Sequence, residues 1–184
     1  MDTSEWKKQL KRQRKEKDLF FGTHPQSPIP GPEQRDFRGL SYFPPDPGYR
    51  FVLDLHESRE KDTIEIGDTA GQTRRLWRWG ELRFRIDGRD CALQAYKADP
   101  DEGHLFVPFR DKTSGDETYP AGRYMDLEPA LHRTAEGKWV VDFNEAYNPW
   151  CAYSKDYACP FVPPENRLDV PVRAGEKRYQ DDIE

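Results

Sequence analysis

The sequence predicts a mainly β fold, an antiparallel β-barrel or sandwich of about eight short strands. The first indication is a series of short runs, spaced by roughly ten residues, in which apolar and polar side chains alternate. The second is the dipeptide Asp87-Gly88, because both central residues of a type I′ hairpin turn need positive φ. The third is that an amphipathic helical pattern occurs only near the N-terminus. The length of 184 residues fits a single domain, 1–184.

The N-terminal element is predicted to be a helix over residues 3–19. Asp2 is placed to cap its first turn, as in a capping box. Trp6 and Leu10 stand four positions apart and therefore share one face of a helix. We expect these two side chains and Phe20 to hold the helix against the rest of the protein.

The next segment, residues 22–48, contains repeated prolines, which exclude a long helix or a central strand. We expect an ordered wrap across the surface, with four anchoring side chains: Phe37, Leu40, Tyr42 and Phe43. A β domain over residues 49–177 and a flexible tail over 178–184 complete the predicted organisation. The predicted strands are 49–55, 63–66, 75–86, 91–96, 104–109, 123–127, 138–143 and 168–173.

Composition and charge limit the functional class. No apolar run approaches the roughly 18 residues of a membrane helix, and the N-terminus lacks the apolar stretch of a signal peptide. The net charge of −5, with acids interspersed in the basic N-terminal stretch, argues against binding to nucleic acid. We therefore expect a soluble, cytoplasmic protein with no membrane or nucleic-acid partner. The oligomeric state is left open.

Two blocks dense in polar residues, 109–124 and 142–166, are predicted to form the functional site. The guanidinium groups of Arg110 and Arg123 suit bidentate pairing with a carboxylate or a phosphate. In the alternative interpretation these arginines form structural salt bridges with acids of the same fold. The residues expected to bind a small anionic molecule are Arg110, Ser114, Tyr119, Arg123, Asn144, Tyr147, Asn148, Tyr153, Glu165 and Asn166. We further expect four residues to meet in space: Arg110, Arg123, Asn148 and Glu165.

A hydrolase-type enzyme using the same site is the alternative function. Glu117, Asp142 or Glu165 would act as a general base, or Cys151 would act as the nucleophile. No recognised nucleophile–base spacing is present in the sequence, so ligand binding is favoured over catalysis. A non-catalytic interaction protein is a third hypothesis.

The cysteines allow several interpretations. Cys151 and Cys159 lie in an aromatic loop, without the four Cys or His ligands of a structural zinc site. A disulfide is uncommon in the cytoplasm, and a catalytic thiolate needs a neighbouring cation or histidine. We expect both to be small buried side chains, as we do for Cys91. The sequence thus predicts no metal ion and no other cofactor.

The polar blocks also resemble a known family. The motifs that carry the resemblance are 27–30, 37–43, 79–80, 109–115, 118–119, 122–124, 142–144, 146–149, 151–153, 159–160, 163–166 and 174–177. They are similar to those of the domain of unknown function family 1684, found in bacteria and archaea, over nearly the whole chain. That family has no established activity. The resemblance therefore implies that the blocks form one unit, without implying a reaction.

Overall fold

A computed structural model describes residues 2–179 and shows the predicted mainly β fold with an N-terminal helix. The helices are α1 (Thr3–Thr23), α2 (Gly31–Gln34) and α3 (Pro129–His132). The strands are β1 (Arg50–Leu53), β2 (Leu55–Glu57), β3 (Thr63–Gly67), β4 (Thr73–Ile86), β5 (Arg89–Lys97), β6 (Leu105–Phe109), β7 (Arg123–Leu127) and β8 (Trp139–Asp142). Short 3-10 turns cover Pro47–Tyr49, Phe143–Glu145, Trp150–Ala152 and Pro164–Asn166.

The strands form two antiparallel sheets. In the six-stranded sheet the order is β2-β4-β5-β6-β7, and β3 also pairs with β4. The second sheet contains β1 and β8. The apolar faces of both sheets contribute to one buried core, for example Leu82 of β4, Val107 of β6 and Val141 of β8. The packing is sandwich-like, and the sheets do not close into the alternative barrel within residues 2–179.

The β4–β5 hairpin confirms the strongest local prediction. Asp87 and Gly88 have φ of 50° and 77°, as a type I′ turn requires. Leu82, Phe84 and Ile86 are buried, and the arginines between them are exposed. This alternation places one face of β4 in the core and the other in solvent.

Two predicted strands differ from the observed ones. The predicted strand 49–55 is divided into β1 and β2, which pair with β8 and β4 respectively. The predicted strand 168–173 is wrong, although its alternating apolar side chains are buried as expected. Its backbone lacks the regular hydrogen bonds of a paired strand. Val172 N–H, for example, donates to the Asp111 side chain at 3.2 Å.

Helix α1 extends beyond its predicted end to Thr23, and its N-terminus is capped by Asp2 as expected. Trp6 and Leu10 are buried, but the third apolar anchor is Phe21 rather than Phe20. The reason is helical geometry, since Phe21 lies three turns from Leu10 on the same face. This buried face brings the middle of α1 against the β domain.

The proline-rich segment is ordered against the C-terminal part of the chain. Phe43 is buried, and the other three expected anchors are half-buried. Phe43 N–H donates to Gly175 O at 2.9 Å, and Lys177 N–H donates to Ser41 O at 2.8 Å. These bonds place Tyr42 opposite Glu176. Of the predicted flexible tail, residues 180–184 lie outside the described residues.

Candidate functional site

A cavity of about 280 Å³ lies between α1, the proline-rich segment and the turn that follows β8. Its walls combine charged and aromatic side chains with an apolar edge formed by Leu10 and Ala146. The lining residues are Leu10, Gln13, Arg14, Lys17, Tyr42, Asn144, Glu145, Ala146, Tyr147 and Glu176.

Arg14 of α1 is fixed at one wall of this cavity. Its guanidinium carbon lies 4.4 Å from the centroid of the Tyr42 ring. Its terminal nitrogens donate to Phe43 O at 2.8 Å and to Asn144 O at 3.2 Å. Burial lowers the pKa of Arg14, but a guanidinium stays protonated in proteins. The Arg14 guanidinium is thus fixed by hydrogen bonds to backbone carbonyl oxygens rather than to a carboxylate.

Two polar atoms at this wall are buried without a hydrogen-bond partner among residues 2–179: Arg14 Nε and Tyr42 Oη. Burial raises the pKa of the Tyr42 phenol, so this group remains an O–H donor near neutral pH. A buried donor without an acceptor costs about 1–3 kcal/mol. Two such donors beside one cavity are suited to an acceptor supplied from outside the chain.

Glu176 forms a negatively charged part of the same wall, paired with Tyr42 through the backbone, and is 2% exposed. Its carboxylate accepts hydrogen bonds from Lys17 Nζ, from Asn148 N–H at 2.8 Å and from Tyr153 O–H at 2.7 Å. Its charge is therefore compensated within the protein. Asn148 and Tyr153, both predicted to bind the ligand, act instead on this carboxylate.

Two of the predicted ligand-binding residues line the cavity itself. Asn144 accepts a hydrogen bond from Asp46 N–H at 2.9 Å and donates to Asp46 O at 2.8 Å. Tyr147 donates its hydroxyl hydrogen to Asp126. These bonds fix the turn after β8 that carries both side chains.

Arg123, in contrast, forms a structural salt bridge, which was the alternative interpretation of the arginines in the sequence. Its side chain and that of Asp111 are each 1% exposed and form a salt bridge of 3.0 Å. The guanidinium also donates to the carbonyl oxygens of Val172 and Ala174. Ser114 Oγ accepts a hydrogen bond from Asp111 N–H at 3.1 Å, within the turn that holds this pair.

The expected pairing of Glu165 with Arg110 or Arg123 is wrong within residues 2–179, whereas Arg123 and Asn148 do meet, at Glu176. Glu165 accepts hydrogen bonds from Arg78 Nε at 3.0 Å and from Tyr96 O–H at 2.8 Å. Both donors belong to the β4–β5 hairpin, which lies outside the two polar blocks. The carboxylate is therefore held by partners that the block pattern did not contain.

Two further predicted binding residues, Asn166 and Arg110, occupy other places. Asn166 is fully buried and bonds the backbone of Gln94 and Pro108. Arg110 lines a separate shallow cleft with Lys112 and Arg167. Neither residue lines the cavity beside α1.

The carboxylates predicted as general bases also have structural partners. Both carboxylate oxygens of Glu117 share the hydrogen bond donated by Arg173 Nε–H, at 2.9 and 3.0 Å. Asp142 is buried and accepts a hydrogen bond from Trp6 Nε1 at 2.7 Å. Burial raises the pKa of Asp142. Each of these acids thus ties two segments of the fold together.

Cys151 and Cys159 are free thiols that contact each other. Cys151 N–H donates to Cys159 Sγ at 3.3 Å, and Tyr119 Oη lies 3.7 Å from Cys151 Sγ. Hydrogen bonding from the Cys151 side chain lowers the pKa of Cys159 to about 7. Cys159 is buried as expected, but Cys151 and Cys91 are half-buried.

Within residues 2–179, no cluster of three or more His, Cys, Asp or Glu side chains is arranged to hold a metal ion. None of the helices in this range has the length and apolar character that crossing a membrane requires.

Among the cavity residues that the sequence interpretation missed are Arg14, Lys17, Tyr42 and Glu176. A signal for the first two was present in the helical spacing. Arg14 lies four positions after Leu10, and Lys17 lies four positions before Phe21, so both share the buried face of α1. Cations on a face that carries buried apolar side chains need partners inside the protein.

The protein is thus a small β-sandwich with one long helix, and a charged cavity lies beside that helix. The chain belongs to the family described as protein of unknown function (DUF1684), whose model matches residues 35–177. This confirms the resemblance drawn from the motifs. It is also similar to an uncharacterized protein of Haloarcula marismortui solved by solution NMR, with 44% identity, 96% of each chain covered and a TM-score of 0.72. No curated protein matches the chain.

Proposed function

We propose that this protein binds a small anionic molecule, of carboxylate type, in the cavity beside α1. The observation that carries the proposal is the pair of buried donors without partners, Arg14 Nε and Tyr42 Oη. A carboxylate offers two oxygens and pairs well with a guanidinium fork. It would supply the acceptors that residues 2–179 leave unfilled.

The charges around the cavity support an anion rather than a cation. Lys17 pairs with Glu176, and His132 lies 3.0 Å from Glu145. The two carboxylates of the lining thus have partners of their own. Arg14 is held by carbonyl oxygens and forms no direct ion pair within residues 2–179, although the nearby charges of Asp142 and Glu176 act on it.

The size and the apolar edge of the cavity restrict the ligand further. A volume of about 280 Å³ lies just below the usual range of about 300–1,000 Å³ for ligand pockets. Leu10 and Ala146 would cover an apolar body, while Arg14 and Tyr42 bind the charged end. We therefore expect a compact carboxylate with a short aliphatic or aromatic part.

Isothermal titration calorimetry with benzoate tests the proposal. We expect Arg14→Lys to weaken benzoate binding about tenfold or more, because a lysine lacks the second donor of the fork. Arg12→Lys is the matched control, since Arg12 is on the same helix and its side chain is 75% exposed. Equal benzoate affinity in the two variants would contradict the proposal, as would the absence of binding to the unsubstituted protein at about 10 mM benzoate.

A further inference from the structure

The contact between Cys151 and Cys159 lies in a part of the fold that the proposed cavity does not include. Cys151 is carried by the 3-10 turn Trp150–Ala152. The loop that leads from this turn to Cys159 is closed by Trp150 and Tyr157, whose rings meet edge to face at 5.0 Å. The backbone of the two cysteines is thus positioned by contacts that do not involve their sulfurs.

Cys159 is fixed from its other side by Thr69. Cys159 N–H donates to Thr69 Oγ1 at 3.0 Å, and Thr69 N–H donates to Cys159 O at 3.1 Å. These bonds hold its backbone against the turn that follows β3. The Cys159 sulfur points toward Cys151 and accepts a hydrogen bond from Cys151 N–H at 3.3 Å.

The separation is short enough for a covalent bond to form with little backbone movement. Because an N–Cα bond is about 1.46 Å long, Cys151 Cα lies no more than about 4.8 Å from Cys159 Sγ. Each thiol also changes the pKa of the other, as expected for neighbouring sulfurs. With Cys151 Cα this close to Cys159 Sγ, the two cysteines approach the geometry that a disulfide needs.

The two sulfurs differ in chemical character. Cys159 Sγ accepts a hydrogen bond from Cys151 N–H at 3.3 Å. The neighbouring Cys151 side chain, this backbone hydrogen bond and the charge of Arg74 lower the pKa of Cys159 to about 7. The hydrogen bond to Cys159 and burial raise the pKa of Cys151. A thiolate is the reactive nucleophile. Because the Cys151 backbone N–H donates to Cys159 Sγ and so stabilises a thiolate there, Cys159 is the attacking sulfur and Cys151 is the second sulfur of the pair.

We propose that Cys159 and Cys151 form a dithiol site that reacts with hydroperoxides and closes to an intrachain disulfide. In the first step the Cys159 thiolate attacks one peroxide oxygen, so that an S–O bond forms and the O–O bond breaks. The released oxygen takes a proton from solvent and leaves as water or an alcohol. Cys159 is then a sulfenic acid.

In the second step the Cys151 sulfur attacks the sulfenic sulfur of Cys159. The S–S bond forms, the S–O bond breaks, and the released hydroxide takes the Cys151 proton to become water. The two thiols together lose two electrons and two protons, and the hydroperoxide gains them. Cys151 thus acts as the resolving cysteine.

Treatment of the full chain with hydrogen peroxide, followed by intact mass spectrometry and peptide mapping, tests this site. We expect a loss of two hydrogens and a Cys151–Cys159 linked peptide, formed about tenfold faster than any oxidation of Cys91. Cys91→Ser is the matched control and should give the same product at the same rate.

Two further variants separate the roles of the sulfurs. Cys151→Ser should stop at a sulfenic acid on Cys159, which dimedone captures, and Cys159→Ser should leave Cys151 unoxidised over the same time. Far-ultraviolet circular dichroism of each variant establishes that it is folded before oxidation. Sulfenic acid appearing first on Cys151 or Cys91, intermolecular disulfides as the main product, or no reaction of the pair would each overturn the proposal.

Discussion

Replacing Asp111 by asparagine should destabilise the protein strongly. Its carboxylate accepts a hydrogen bond from Arg123 at 3.0 Å, and both side chains are 1% exposed. The other carboxylate oxygen accepts hydrogen bonds from Thr113 N–H at 2.7 Å and Val172 N–H at 3.2 Å. This one group therefore joins the turn after β6 to the C-terminal segment. Asn has nearly the same shape but no charge.

The magnitude follows from the burial of the pair. Breaking a buried ion pair from one side leaves an uncompensated charge and costs about 3–5 kcal/mol. Asp90→Asn is the matched control, because Asp90 pairs with Arg85 at side-chain exposures of 89% and 68%. Removing an exposed pair of that kind changes the free energy of unfolding by about 0–1 kcal/mol.

Urea denaturation of the unsubstituted protein and both variants measures the two effects. We expect the midpoint of Asp111→Asn to fall far below that of Asp90→Asn at an unchanged slope, since the slope reports the surface exposed on unfolding. A loss below about 1 kcal/mol for Asp111→Asn would refute the reasoning. The buried pair would then contribute no more than a surface pair.

Three other predictions concern local chemistry. Gly88→Val should lower stability by about 1–2 kcal/mol, because φ at this position is 77°, whereas Gly88→Asn should be tolerated; equal thermal midpoints for the two would contradict this. The hydrogen bond to Asp126 raises the pKa of His104 above 6.5. The pair therefore stabilises the fold fully below the unfolded-state pKa, and this contribution is lost as pH rises through the folded-state pKa; an NMR titration midpoint below 6.5 would contradict the sign. Alkylation of Cys159 by iodoacetamide should reach half its maximal rate near pH 7, whereas Cys91, whose pKa burial raises above 9.0, should react at higher pH; identical pH profiles would exclude the difference.

The parts of the fold that the sequence could predict depend on local patterns. The turn at Asp87 and Gly88 follows from the φ that each residue adopts, and the alternation in β4 follows from its pleat. The segment 168–173 shows the limit of this reasoning. Its side chains alternate as in a strand, but its backbone is held in part by the distant side chain of Asp111, which no local pattern reveals.

The candidate site was harder to predict because four distant segments form it. Arg14 and Lys17 lie in a helix rich in exposed charges, where charged side chains usually face solvent. Tyr42 and Glu176 reach them through the bridge between the proline-rich and C-terminal segments. The polar blocks contributed Asn144 and Tyr147 to the wall. Their other members mostly stabilise loops, which need polar partners for buried backbone groups.

The most direct test of the proposed function is an NMR titration that follows the Nε–H resonances of the arginine side chains as benzoate is added. Arg14 Nε and Arg123 Nε are both buried without a hydrogen-bond partner among residues 2–179, but only Arg14 lines the cavity. We predict a saturable shift of the Arg14 resonance and no shift of the Arg123 resonance. An Arg14 resonance that does not move while benzoate binds, or equal shifts at both arginines, would contradict an anion site in this cavity.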